Sequence, residues 1–420
     1  MTDSTDIGLR DEGGLVGPAG SATAVTVAGF ASNVLGYLVL LLAVHLLASS
    51  SYGQLVVLLN VLLVGTVPSF AVQTVTARRV ATGDTAGMKQ ATLVVALTAS
   101  VLLAVLSPAL TAFLHLSSDV DLLLVAGSLP AVTAMGMFQG VLQGERRFAA
   151  LGVVLTAAAL GRSACGLLGL LIARDATGAV LAILVGMTAC ACVVGVPLRG
   201  AVEDGPASGP LREVGHALHA HGAFWFLSTL DVLLARHVLS SHLAAVYATG
   251  SVVTRGAIWL PQSVATLVFP RLTDSARHKQ MLRRAVVIVA GVGAVVTLGV
   301  AALPTLVSRV VGGGRYPELV PSAWLFAMLG ASLALLQLGM VAGLALRRTR
   351  QTAPIWAAIV ADTVLVLASG SGATVGRVVA TVAVITAVAT VGSVLIGTGW
   401  LARPARPDQL AEPSGQVPAT

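Results

Sequence analysis

The sequence predicts an all-α polytopic membrane protein of about twelve transmembrane helices, in two six-helix bundles related by a pseudo-twofold axis. Three observations carry that expectation. Apolar residues make up 56% of the chain and charged residues 10%, with a mean hydropathy of +0.90; a soluble domain needs far more polar surface. The apolar residues gather into a dozen stretches, most of them near the length of about 20 residues that crosses a hydrocarbon core as helix. Lys and Arg fall almost entirely in every second gap between those stretches, the bias that sets membrane topology.

The expected spans are Ala22–Leu47, Gly53–Ala77, Ala91–Leu114, Leu122–Leu142, Phe148–Ile172, Gly178–Leu198, Gly222–Val238, Leu243–Phe269, Ala285–Leu306, Pro321–Leu344, Pro354–Ala368 and Ala373–Leu395. With a cytoplasmic N-terminus, 18 basic residues lie inside, from Arg10 through Arg78, Arg79, Lys89, Arg146 and Arg147 to Arg403 and Arg406. Only four, Arg174, Arg309, Arg315 and Arg377, lie outside. That ratio places both termini in the cytoplasm of a plasma-membrane protein. It also checks the count, because one span too many or too few would mix the two sets.

The resulting organisation is a cytoplasmic tail over residues 1–21, an N-terminal bundle over 22–198, a polar cytoplasmic linker over 199–220, a C-terminal bundle over 221–398 and a disordered tail over 399–420. The first twenty residues are acidic and Gly-rich, unlike the start of a cleaved signal, and the first apolar stretch is too long for one. Cys165, Cys190 and Cys192 lie in apolar stretches without disulfide or metal spacing and serve as small fillers.

The halves echo each other. TVPSFAVQTVTARR (Thr66–Arg79) parallels WLPQSVATLVFPR (Trp259–Arg271), aligning Pro68 with Pro261, and GVLQGERR (Gly140–Arg147) parallels GMVAGLALRR (Gly339–Arg348). A parallel repeat of this kind gives two bundles about an axis along the membrane normal. Pro68 and Pro261 each remove a helix hydrogen bond, making them hinge candidates as well as sources of plain curvature. Gly140, Gly144, Gly339 and Gly343 form small-x-x-x-small faces for close packing.

Charge within the bilayer is costly and faces a cavity or a partner. Arg162, Asp231, Arg255 and Asp362, with Asn33, lie roughly 12–21 Å from a membrane surface at the rise of a helix. Arg236 lies nearer the outer end of its span, five residues past Asp231. His45 reads as an interfacial residue, and Trp225, Trp259 and Trp400 as single anchors.

The stretch ASNVLGYLVLLLAVHLLASSSYGQLVVLLNVLLVGTVPSFAVQTVTARR (Ala31–Arg79) resembles the opening of the lipid-linked polysaccharide flippases. These belong to the multidrug/oligosaccharidyl-lipid/polysaccharide exporter superfamily. FQGVLQGERRFAALG (Phe138–Gly152) is similar to their junction after the fourth span, and STLDVLLARHVLSSHLAAVYAT (Ser228–Thr249) opens the second half in the same style. The resemblance extends to about Asp274 and thereafter to topology alone. It implies translocation of a polyprenyl-diphosphate-linked oligosaccharide across the cytoplasmic membrane, for surface polysaccharide synthesis, with a polymerase or ligase as a further partner. Peptidoglycan-precursor members carry two additional spans, for which there is no room here.

Under that resemblance Arg162, Arg255, Arg236 and Asn33 are candidates to bind the cargo, since guanidinium forks hold phosphate oxygens while remaining charged. Asp231 and Asp362 either balance those charges or carry a coupling proton or sodium ion. A structural Asp231–Arg255 ion pair is the competing reading. The alternative function is a proton- or sodium-coupled multidrug exporter. A membrane glycosyltransferase would need large outer loops, which the chain lacks, and no enzyme activity, cofactor or resident metal is expected. The glycines at Gly312–Gly314 and after Gly370 lack the strand, Lys and acid of a nucleotide loop. The formal charge of +7 sits at helix ends, without aromatic interleaving, so anionic membrane lipids are its expected partners and nucleic acid is not.

Overall fold

The computed structural model describes residues 35–36, 38–198, 200, 202–206, 208–268, 278–345 and 352–398. Asn33, both terminal tails and the side chain of Pro261 lie outside the described residues. The helices are α1 (helical over 38–46), α2 (Ser49–Gly65), α3 (Val67–Thr82), α4 (Met88–Leu114), α5 (Val120–Gly144), α6 (Phe148–Ala173) and α7 (Ala176–Leu198). They continue as α8 (Ser208–Val238), α9 (Ser241–Val268), α10 (His278–Ala302), α11 (Pro304–Gly312), α12 (Ala323–Ala345), α13 (Ala353–Ala368) and α14 (Val375–Thr398). Among the described residues, each of the twelve expected spans contains helix. Among the described residues, eight spans are long and apolar enough to cross a membrane by length and composition. Ile172, Val193, Val105 and Val295 are 71–82% exposed. So large an apolar outer belt is matched by lipid and by nothing in water.

Three boundaries depart from expectation, each for a local reason. The second span is two helices, α2 and α3, broken at Thr66; its backbone N–H reaches Leu63 and Val64, and Pro68 enters α3 in its first turn. The ninth span ends at Leu303, where Pro304 starts the short α11. This helix exposes Leu306 and Val310 and buries Ser308. The helix of the seventh span, α8, begins at Ser208, well before the expected Gly222. The expected linker therefore contains about three and a half helical turns, and its Val202 and Val214 are packed into the N-terminal bundle.

Two prolines show how helices survive in lipid, where every freed carbonyl needs an internal donor. Pro130 in α5 cannot bond the carbonyl of Ala126, and Ser100 of α4 donates its hydroxyl there at 2.8 Å. Pro108 in α4 frees Ala104, to which the neighbouring Ser107 hydroxyl donates at 2.8 Å.

The contacts repeat between halves. α3 packs on α5, α4 on α5, α5 on α7 and α6 on α7; correspondingly α9 packs on α12, α10 on α12, α12 on α14 and α13 on α14. Both halves use one device where the second and fourth spans cross. Ser69 donates to the Val132 carbonyl at 2.8 Å with Gly136 opposite, and Thr254 donates to the Phe326 carbonyl at 3.0 Å with Gly330 opposite. The crossings differ in depth: Ser69 is 22 residues past Leu47, whereas Thr254 is 15 past Leu239. Gly140 and Gly144 continue the first crossing against α3, as small residues must where backbones touch. Gly339 does not echo them, because it faces Val394 of α14.

Candidate functional site

The deep charges fall into three places. Arg255 lies midway along α9 and donates to Oδ1 of Asn60 on α2, across the seam between bundles. Asn60 is 2% exposed, and its own Nδ2 donates to the Val56 carbonyl at 2.7 Å, which fixes Oδ1 toward the guanidinium. Asn60 was not singled out from sequence. Its signal is an amide within the otherwise apolar run from Leu55 to Val64.

Asp231 on α8 and Asp362 on α13 lie within the C-terminal bundle, 3% and 1% exposed. Oδ2 of Asp231 accepts from the Tyr247 hydroxyl at 3.1 Å, and its Oδ1 has no hydrogen-bond partner among the described residues. Neither carboxylate oxygen of Asp362 has one. The two carboxyl groups are close enough to feel each other's charge, as are Asp231 and Arg255. Among the described residues no ion pair joins Asp231 to Arg255; the near partner of Asp231 is Tyr247 instead. A carboxylate pair with a tyrosine hydroxyl can take up a proton or a small monovalent cation, since it supplies only hard oxygen donors.

Arg162 on α6 belongs to the other bundle. Its guanidinium extends toward α1 beside Gly36, where an added Cβ would stand 3.8 Å from Nη2. No ion pair reaches Arg162 among the described residues. Asn33, expected at similar depth on the same first span, is outside the described residues.

Arg236 is not in this company. It is 5% exposed and points away from Asp231, donating from Nε to the Leu114 carbonyl and from Nη2 to the His115 carbonyl, both at 3.0 Å. Pro68 sits in the first turn of α3, directly after the break at Thr66, and so lies at a real discontinuity of the second span. Two lateral cavities, about 240 Å³ between α13 and α14 and about 350 Å³ between α5 and α7, open on the flanks. Neither is lined by any of the deep charges.

No protein-family model matches the chain, and no curated protein matches it. Solved structures do. A MATE transporter in complex with MaL6 superposes with a TM-score of 0.63 at 12% identity, covering 91% of this chain and 96% of that one. The fold is that of the MATE transporters. An inward-facing multidrug resistance MATE family transporter of the MOP superfamily gives a TM-score of 0.60 at 12% identity, over 92% of this chain and 95% of that one. A MOP superfamily transporter from Pyrococcus furiosus Vc1 gives 0.57 at 14%, over 91% and 96%. The MATE fold accounts for the twelve spans, the two bundles and a seam between them in which Arg255 meets Asn60.

Proposed function

We propose that this protein moves an anionic, lipid-linked cargo across the membrane by alternating access of the seam, with a polyprenyl-diphosphate-linked glycan as the cargo class. The observation that carries this reading is a deep arginine in each bundle, Arg162 on α6 and Arg255 on α9, with Arg255 donating to the Asn60 amide at the seam. Guanidinium groups at such depth suit phosphate oxygens and repel organic cations. One neighbour, the P. furiosus transporter, is described as having a binding pocket of reversed polarity that suggests a different function. A reversal of pocket polarity on this fold thus has a parallel. The sequence resemblance to lipid-linked polysaccharide flippases supports the glycan-lipid class.

Asp231 and Asp362 then serve as the coupling site. Their buried, partly unsatisfied oxygens favour a proton or sodium ion that binds in one state and leaves in the other. The same pair favours a second reading, an ion-coupled exporter of small organic cations, in which the carboxylates meet the cargo directly.

The test is sidedness of a fluorescent polyprenyl-diphosphate oligosaccharide in proteoliposomes, read with an impermeant quencher under proton or sodium gradients. Protein-dependent movement that is lost in folded Arg162→Ala and Arg255→Ala supports the flippase. Gradient-driven efflux of organic cations, with no movement of the glycan lipid, replaces it with the exporter.

A further inference from the structure

At the arginine-poor end of the molecule the two bundles are tied by arginines that touch no carboxylate among the described residues. The last carbonyls of a helix have no intrahelical donor and gather the negative end of its dipole. α4 ends at Leu114, where His115 turns into the left-handed region with φ 49°. Arg236, from the other bundle, donates to the carbonyls of Leu114 and His115 there. His237 adds a ring contact to the Phe113 carbonyl at 2.8 Å and stacks on Phe113 with centroids 4.1 Å apart.

A second tie closes the opposite part of the same rim. Arg315 donates through Nη1 to the carbonyls of Val44 and Leu47, where α1 ends, at 2.6 and 2.9 Å. Its neighbour Tyr316 stacks on Tyr52 with centroids 6.5 Å apart and donates to Ser49 at 3.2 Å. The glycines before it, which resisted reading as a nucleotide loop, explain the reach. Gly313 has φ 61°, and a Cβ there would overlap the His45 ring, so only glycine lets this turn lie against α1.

We propose that Arg236 and Arg315 are the gate residues of this end. Each caps the C-terminus of an N-bundle helix from the C-bundle, and both caps release when the seam opens there. Capping carbonyls rather than carboxylates suits a gate, because released helix ends and guanidinium groups are rehydrated without stranding a buried acid. The role rests on the alternating-access reading, yet its test needs no cargo.

Spin labels at Asp119→Cys and Ser240→Cys, exposed turns of the two bundles beside the rim, are introduced with Cys165, Cys190 and Cys192 replaced by Ala. Pulsed-dipolar distances are measured in full-length protein in lipid nanodiscs. With Arg236 and Arg315 present the short distance dominates. Arg236→Ala or Arg315→Ala raises the ratio of long to short populations about tenfold or more, the scale of a charge-assisted hydrogen bond. Arg→Lys at the same position restores part of the short population. Folded alanine variants with unchanged distances overturn the proposal. If either alanine variant fails to fold, Arg→Gln is measured in its place and the same two outcomes apply. Glycan-lipid movement is scored separately: a gate that opens in a chain that moves no cargo supports the latch and sinks the flippase, whereas cargo movement with unchanged distances in the variants sinks the latch alone.

Discussion

Arg255 and Asn60 join the two bundles at mid-depth through a guanidinium and a neutral amide, the amide held in turn by the Val56 carbonyl. A carboxylate in place of that amide would set a full negative charge against Arg255 and compete with an anionic cargo for it. Asn60→Asp should therefore act oppositely to a loss of contact. It tightens the bond to Arg255, preserves expression and slows anionic-lipid movement by about tenfold or more, since every 1.4 kcal/mol withheld from the cargo is one decade. Transport rate beside yield of monodisperse protein checks it.

Asp362 keeps both carboxylate oxygens buried without a hydrogen-bond partner among the described residues. Such a group persists against stability. Asp362→Val should raise unfolding stability by about 1–3 kcal/mol, the penalty of an unsatisfied buried polar group, and abolish gradient-driven transport. Thermal unfolding in detergent and gradient-dependent flux measure the two effects; a destabilised variant counts against the assignment.

Glu213 gives a pH signature at the arginine-rich end. Arg79 donates to it at 3.0 Å, Arg78 also pairs with it, and these contacts hold its carboxyl below the usual carboxylate range. Because the folded value is depressed, the clasp's contribution is fully present above the unfolded value, near 4.3 for glutamate. It is lost as pH falls through the lower folded value. The melting temperature of wild type should exceed that of Glu213→Gln by a constant margin at neutral pH. That margin should shrink to nothing in strong acid. A margin independent of pH would contradict it.

Gly140 lies where a Cβ would stand 2.6 Å from the Gln73 carbonyl and 2.7 Å from Thr76. Gly140→Val should cost about 1–3 kcal/mol or more, because the obstacle is backbone and cannot yield. Gly299 in α10 meets nothing within 4 Å, so Gly299→Ala should be neutral or slightly stabilising. Chemical or thermal unfolding of the pair in one detergent distinguishes packing from general helix sensitivity.

Helices were legible because their determinants are local. A run of apolar residues near bilayer length has few alternatives to helix in lipid, and the twelve runs and their alternating basic gaps stand in the sequence. The depth of Arg162, Asp231, Arg255 and Asp362 was legible for the same reason, as counting along a helix gives depth directly. Azimuth and partner were not. Arg236 and Asp231 are five residues apart on one helix, yet one caps α4 in the opposite bundle and the other meets Tyr247 within its own. Asn60 acquires meaning only because α9 brings Arg255 to it, 195 residues away in sequence. The glycines before Arg315 carried no message until their turn lay on the end of α1.

The sequence by itself determined the class of solvent, the number of spans and which residues are too charged to face lipid, because the hydrocarbon core imposes those constraints on each segment alone. The tertiary structure decided which of those charges share a space, which close the rim and where helices touch backbone to backbone. Those outcomes depend on how helices distant in sequence are rotated and crossed, and that is settled by packing between segments.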